Sequence, residues 1–581
     1  MHPGAQPLGI YLHDGGYHPR SAYVLEILAH AGIPFTRVDA ATLPEALDTL
    51  KVLIVPHHEV TTPEMGRLYG FVTGGGALIG LGGTSGLDDL FGVRTQTGTH
   101  EAFLQVTQID HPLVRDLHSS LHVWDAATAR AAGTGELARL CDSNGNRIGV
   151  GVSVYRLQGG LSIFCAADLP WCILHMLQGK PVRQDGTPAP DGTAQTDDGI
   201  LKCDDGVVLD WEKDRTTDTE VPFFLEAIGD ELRAILLRSI FLGAQYTGIP
   251  LPMLWYWPAH LEAVAHLSHD SDNNVLDRAF QLLENTRALG VHSTWCIQYP
   301  GYTPELYAAV ADYGSEICLH FDALSGKEPN RWDYGDLVFQ CEYLRREAGL
   351  DVITSNKNHY TRWEGSLEFF GWLEKVGIAH DQSKGPSKHG NTGHLYGSTH
   401  PWFPMDPDSG RSYNVLEVNF LTQDMVNPAG QPDAPVDKYA PYAIAEPLVD
   451  RVKKHYGVAH YLFHPHHCRQ PGVPAAMADV IEYALQQGLP WWTAREINAW
   501  ERSRRKLTFG DVDNAGAVVH AGQQLEDATL LVLNARDQER EFHIDGKPTY
   551  ARSVDRYGFR FHAVTHTLAA GEHSLRWGET G

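Results

Sequence analysis

The run His266-Leu-Ser-His-Asp-Ser-Asp-Asn-Asn274 holds two carboxylates, Asp270 and Asp272, two residues apart. An apolar run precedes it, and a helix-like segment, Val275 to Gly290, follows it. Side chains alternate along a strand, so residues two apart point the same way. Two carboxylates on one face repel each other unless a proton or a cation lies near them. Taken alone, the run also reads as a solvated turn that starts a helix, with Asp272 or Asn273 as its cap. Further along, metal-competent side chains recur where strands are expected to end. They are His320 and Asp322, the run Asn356-Lys-Asn-His-Tyr-Thr-Arg-Trp363, His380 and Asp381, and Tyr461-Leu-Phe-His-Pro-His-His467. A single strand-end histidine is usually a hydrogen-bonded structural residue. Five such groups at successive strand ends point instead to one shared pocket.

The elements that must position these groups form a βα series from residue 260 to about 500. Strands are expected at 262–269, 292–297, 316–321, 351–356, 378–382, 413–420, 459–464 and 490–493. Helices are expected at 275–289, 304–313, 335–348, 366–376, 438–456 and 473–487. Repeated units of this kind predict a closed or nearly closed barrel with its site at the C-terminal strand ends. The long loops 384–412 and 422–437 would shape that rim.

Another βα series opens the chain. Strands at 8–12, 52–56 and 77–81, helices at Ser21–Gly32 and Thr62–Val72, and a closing strand at 161–167 predict a doubly wound parallel sheet. This series resembles the class I glutamine amidotransferase-like domain, an accessory unit of several carbohydrate-active enzymes. The resemblance implies a nucleophilic cysteine in the turn after strand 77–81. The chain has Gly82-Gly-Thr-Ser-Gly86 there and no cysteine before Cys141, so a structural or self-associating role is expected, with Ser85 as the one substitute nucleophile. A homo-oligomer is expected on the same ground.

Residues 182–222 are rich in Asp, Gly, Pro and Thr and read as a solvated linker. Asp197, Asp198, Asp204, Asp205 and Asp210 match no known calcium loop spacing. A helix, Pro222 to Leu242, leads out of the linker. From about residue 505, short alternating runs at 530–534, 541–544, 560–564 and 573–577 predict a small β-sandwich. The expected division is 1–181, 182–258, 259–504 and 505–581. The fold class is thus α/β: a doubly wound parallel sheet, a distorted (β/α) barrel and a β-sandwich.

The 581 residues carry a net charge of −26, which argues against nucleic acid and anionic membranes as partners. No apolar run of about 20 residues is present to span a membrane. The eight cysteines are scattered and read as buried thiols. The first residues show no signal-peptide pattern, which predicts a cytoplasmic setting.

On the motifs quoted above, the middle block resembles the polysaccharide deacetylase (NodB homology) superfamily, in its His-Asp-x-Asp variant. The resemblance implies a distorted barrel holding one divalent metal, usually zinc, and hydrolysis of an N- or O-acyl group. Carried over, it makes Asp270 the general base, Asp272 a metal ligand, His320 the first histidine ligand and His464 the general acid. Arg362 and Trp363 fall where the family has its arginine motif, and Asp381 matches the aspartate after the fifth strand. The family's second motif has a further histidine four residues on, but that position here is Leu324. His359 is the choice for the third ligand, with His466 and Asp322 as rivals. The implied substrate is an amino sugar, oligosaccharide or other small N-acyl compound.

The aromatics Trp255, Tyr256, Trp257, Trp363, Trp402 and Phe403 invite a sugar-stacking reading against one of plain packing. The loop Gly397–Pro404 reads as exposed, with His400 near substrate. Two rival functions remain: a metal-independent glycoside hydrolase using paired carboxylates, and a non-catalytic carbohydrate-binding protein.

Overall fold

The computed structural model describes residues 6–12, 19–194, 199–216, 219, 221–324, 332–431, 433–436 and 438–579. Of the acidic residues of the linker, Asp197, Asp198, Asp218 and Glu220 lie outside the described residues.

The barrel sheet has seven parallel strands. In chain order they are Val264–Asp270, Thr294–Gln298, Glu316–Phe321, Ser355–Asn358, His380–Asp381, Leu416–Glu417 and Val458–Leu462. The seventh lies beside the first and the sixth is at the other edge. Residues past the sixth strand curl the sheet back onto the seventh: Leu421 N donates to His460 O (2.9 Å), and Leu462 N donates to Thr422 O (3.2 Å). The expected strand at 490–493 is not formed; Trp491 makes a single bridge to Ala265. The chain turns there into a helix, Ala494–Arg504, which Thr493 caps by accepting from Glu496 N.

The N-terminal sheet corrects the expectation of an all-parallel layer. Its five parallel strands include Leu8–Tyr11, Val52–Pro56, Ala77–Leu81 and Gly160–Cys165. Four long antiparallel strands, between Val93 and Leu157, extend it to nine. Their outer positions are exposed Thr, Gln and Arg, so they lack the continuous apolar run that marks a strand buried on both faces.

The C-terminal block has two antiparallel sheets of four and five strands that share one core. Leu530 and Val532 face that core, while Leu531 and Leu533 face the main one, as the two-residue period requires. Pro252–Leu254 pairs with Leu530–Val532, so part of the expected linker is a strand of this block. The helix after the linker runs Ile228–Thr247 and packs Phe241 against Phe559 and Phe561.

Part of the linker, around residues 202–206, is also buried and not solvated. Asp204 is buried and accepts from Ser387 N, Ser387 Oγ and Asn391 Nδ2 at 2.7–2.9 Å, and Lys388 Nζ lies 2.9 Å from Asp205 Oδ1. It ties residues 384–412 down against the barrel.

Candidate metal centre

Asp270 ends the first barrel strand and Asp272 lies one turn beyond it, so strand alternation does not place the second carboxylate. The turn does. Ser271 N donates to Cys296 O (3.0 Å), Gln298 N donates to Ser271 Oγ (2.9 Å), and Asn273 and Asn274 take left-handed φ of 62 and 47°. Both carboxylates thereby reach one nitrogen: His320 Nε2 is 3.2 Å from Asp272 Oδ1 and 3.8 Å from Asp270 Oδ2.

His320 lies on the third strand, and its Nδ1 bonds Lys357 O at 3.0 Å. His359 follows the fourth strand, and its Nδ1 bonds Asp322 Oδ1 at 3.0 Å. Gln298 Nε2 steadies Asp322 through Oδ2 at 2.7 Å. With both Nδ1 atoms donating outward, each Nε2 is left to face Asp272, at 3.2 Å for His320 and 3.7 Å for His359. One donor atom from each of Asp272, His320 and His359 lies within 4.8 Å of the other two. Two imidazole nitrogens, each backed by a hydrogen-bonded partner, and a carboxylate suit a divalent cation such as zinc. Charge points the same way. Burial disfavours ionised Asp272, but its bonds from His320 and His359 hold its carboxyl well below the usual range. Burial likewise opposes protonated His359, yet Asp272 and Asp322 push it up to about 9. The cluster draws positive charge to its centre.

The seventh strand delivers His464. Its Nε2 lies 3.7 Å from Asp272 Oδ2, and its Nδ1 lies 2.6 Å from Asp424 Oδ2. Asp424 also accepts from His464 N (2.9 Å) and bonds His467 Nδ1 (2.7 Å). Burial would lower the His464 pKa, but Asp424 first, then Asp272 and Asp270, raise it to about 9.

Other predicted residues lie elsewhere. Asp322, a rival for the third ligand, bonds His359 Nδ1 through Oδ1 and Gln298 Nε2 through Oδ2. His466 lies tilted against His467, 3.8 Å between ring centres, and stands outside the cluster, where burial and the neighbouring imidazoles lower its pKa to about 4. Arg362 bonds Glu364 (2.6 Å) and Ala323 O (3.3 Å). Trp363 is buried against Phe369 and Phe370. Asp381 is fully buried on the outward face of the sheet, where it accepts from Asn356 Nδ2 (2.8 Å) and Ser383 Oγ (2.9 Å). Burial raises both its pKa and that of the neighbouring Glu417, as in a carboxyl pair that shares a proton. The loop Gly397–Pro404 is buried throughout, and His400 bonds His30 (2.9 Å) between the first block and the barrel. Trp255, Tyr256, Trp257, Trp402 and Phe403 are also buried, so none offers a face to a sugar.

Two residues were missed. Lys357, fully buried on the fourth strand, donates to Ser268 Oγ (2.9 Å) and lies 3.7 Å from Asp270 Oδ1. A lysine amid a strand whose neighbours are all polar was the available signal. Asp424 lies in the rim loop flagged at 422–437, with nothing in its local sequence to set it apart.

No family model and no curated protein matches the chain. Among solved structures it is similar to a beta-galactosidase from Rahnella sp. R3, at 15% identity and TM-score 0.24, over 28% of this chain and 29% of that one. The chain thus spans under a third of that galactosidase. It is similar to a putative polysaccharide deacetylase from Mycobacterium smegmatis, at 16% identity and TM-score 0.31, over 43% of this chain and 93% of that one. It is also similar to a family 4 carbohydrate esterase from Streptomyces lividans in complex with acetate, at 13% identity and TM-score 0.23, over 40% and 92%. Scores and identities this low leave the activity to be argued from the chain's own residues.

Proposed function

We propose that this protein is a metal-dependent hydrolase that removes an acyl group, in the first instance acetyl, from an amino sugar, oligosaccharide or related N-acyl compound. The observation that carries the reading is the convergence of Asp272, His320 and His359, with Asp270 3.8 Å from His320 and His464 3.7 Å from Asp272. Asp272, His320 and His359 would hold the cation. When bound, a divalent metal there lowers the pKa of a water and polarises the acyl oxygen.

The protein's own groups do the rest. Asp270 takes the proton of the water as its oxygen bonds to the acyl carbon. His464, kept protonated by Asp424, passes its Nε2 proton to the leaving nitrogen as the carbon–nitrogen bond breaks. An amine needs that proton, because an amide anion is a very poor leaving group. The product acid and Asp270 then each give up a proton, one of which restores His464 and the other of which goes to solvent, leaving a carboxylate and a free amine. Asp322 and the Lys357 carbonyl hold the two ligand imidazoles in the tautomer that turns Nε2 inward. A glycosidase would instead need carboxylates about 5 Å or more apart, each with its own access to the sugar. Here three imidazoles also face Asp272, a set that favours a cation.

The test is acetate release from N-acetylated chito-oligosaccharides by zinc-loaded protein, with a chelator control and the Asp270→Asn variant. Release should stop on chelation and fall by about 10²-fold or more in the variant, which should keep its metal. Activity that survives complete metal removal would refute the proposal.

A further inference from the structure

Tyr360 follows His359 directly, and its ring centre lies 4.4 Å from that of His359. Its backbone is left-handed, with φ 57 and ψ 19°, and Thr361 beside it has φ 51°. An L-residue pays in steric energy for this conformation, which glycine avoids and asparagine tolerates. Either of those two would make the turn after His359 at lower steric cost. A bulky phenol there, 51% exposed, is the costly choice for the backbone, and it gains little burial in return. Tyr456 shows the contrast. It too is left-handed, at φ 67°, but it is packed against Trp255 and Tyr557 with ring centres 4.6 and 5.2 Å away. Packing accounts for Tyr456. Among the described residues, the ring contact recorded for Tyr360 is His359 alone. Strain of this kind gathers where function fixes the chain.

We propose that Tyr360 is the platform on which a sugar ring of the substrate lies, so that the acyl group hangs over Asp272, His320 and His359. The inference rests on the hydrolase reading for its substrate class. A pyranose is apolar on one face and polar around its edge. The tyrosine ring matches it, with an apolar face and a hydroxyl at its tip. The other large aromatics considered for stacking are buried, which leaves Tyr360 as the exposed ring beside the ligand cluster among the described residues.

Calorimetric titration of the full-length protein with chitotriose, N-acetylated and fully deacetylated, with zinc and after chelation, tests this. Tyr360→Ala should weaken binding of both sugars about tenfold with or without zinc, while Tyr360→Phe and Tyr360→Trp retain it. Zinc stoichiometry should be the same in all variants. Tyr360→Gly should lose affinity like the alanine variant without a lower unfolding midpoint, because strain is relieved. Unchanged affinity in Tyr360→Ala would overturn the proposal. So would a loss that follows zinc, since the residue would then only hold His359, or a wild type that binds neither sugar. A wild type that binds through Tyr360 yet releases no acetate would keep this proposal and remove the hydrolase reading.

Discussion

His464 owes its proton to a residue 40 positions away. Asp424 accepts from its ring at 2.6 Å and from its backbone N–H at 2.9 Å, fixing both the charge and the direction of the imidazole. If His464 is the acid, the rate falls as pH rises through its pKa of about 9. Asp424→Asn removes the largest influence raising that pKa, so the alkaline limb of kcat should move down toward the ordinary histidine value near 6.5, with about a 30-fold loss at pH 8. A pH–rate profile checks this, and an alkaline limb unmoved by the substitution would contradict it. At this scale the sequence was legible where residue type and strand position coincide, as at Asp270 and His320, which the fold brings together. It was not legible where a partner comes from a distant loop. It misled at Trp363 and His400, because a loop's composition does not say whether another block covers it. Trp402 and Phe403 in the loop 397–404 are buried, as the packing reading of those aromatics expects.

The elements read best where period and length agree. Helices 276–289, 304–312 and 473–486 have a buried stripe at helical spacing and stand within two residues of expectation. The third barrel strand, Glu316–Phe321, matches to the residue. The fifth and sixth strands shrink to two residues each, His380–Asp381 and Leu416–Glu417, because polar side chains there bond sideways instead of extending the ladder. The four long N-terminal antiparallel strands escaped notice for the opposite reason: their exposed faces are too polar to show a core stripe. Short turns also did work that periodicity could not foresee. The left-handed pair Asn273–Asn274 brings Asp272 back beside Asp270, and Tyr360–Thr361 turns the chain just past His359.

The whole molecule is held together by buried polar contacts between blocks. His30 bonds Glu501 (2.7 Å) and His400 (2.9 Å), Arg504 donates to His30 O (2.7 Å), and Arg505 pairs with Glu26 (2.7 Å). Burial drives several interior histidines to stay neutral: His30 and His394 fall to about 3, and His266 and His269 to about 4. The sign is set by linkage. Between the unfolded value near 6.5 and these folded values, the unfolded chain binds more protons, so stability drops as pH falls through that window. Each such histidine contributes on the order of 1 kcal/mol per pH unit there. The first thermal transition should therefore come several degrees earlier at pH 5 than at pH 7. His30 sits at the junction, so the first block should loosen from the barrel early in that change. A transition temperature flat between pH 5 and 7 would contradict this account of the interior.

The most direct measurement is the metal content of purified protein by mass spectrometry, for wild type and for Asp272→Asn, His320→Ala, His359→Ala and Asp270→Asn after zinc loading. One zinc per chain in wild type and in Asp270→Asn, with loss in the other three, is the predicted result. A wild type that retains no divalent metal, or a His359→Ala protein that binds it as tightly as wild type, would contradict the assignment of Asp272, His320 and His359 as its ligands.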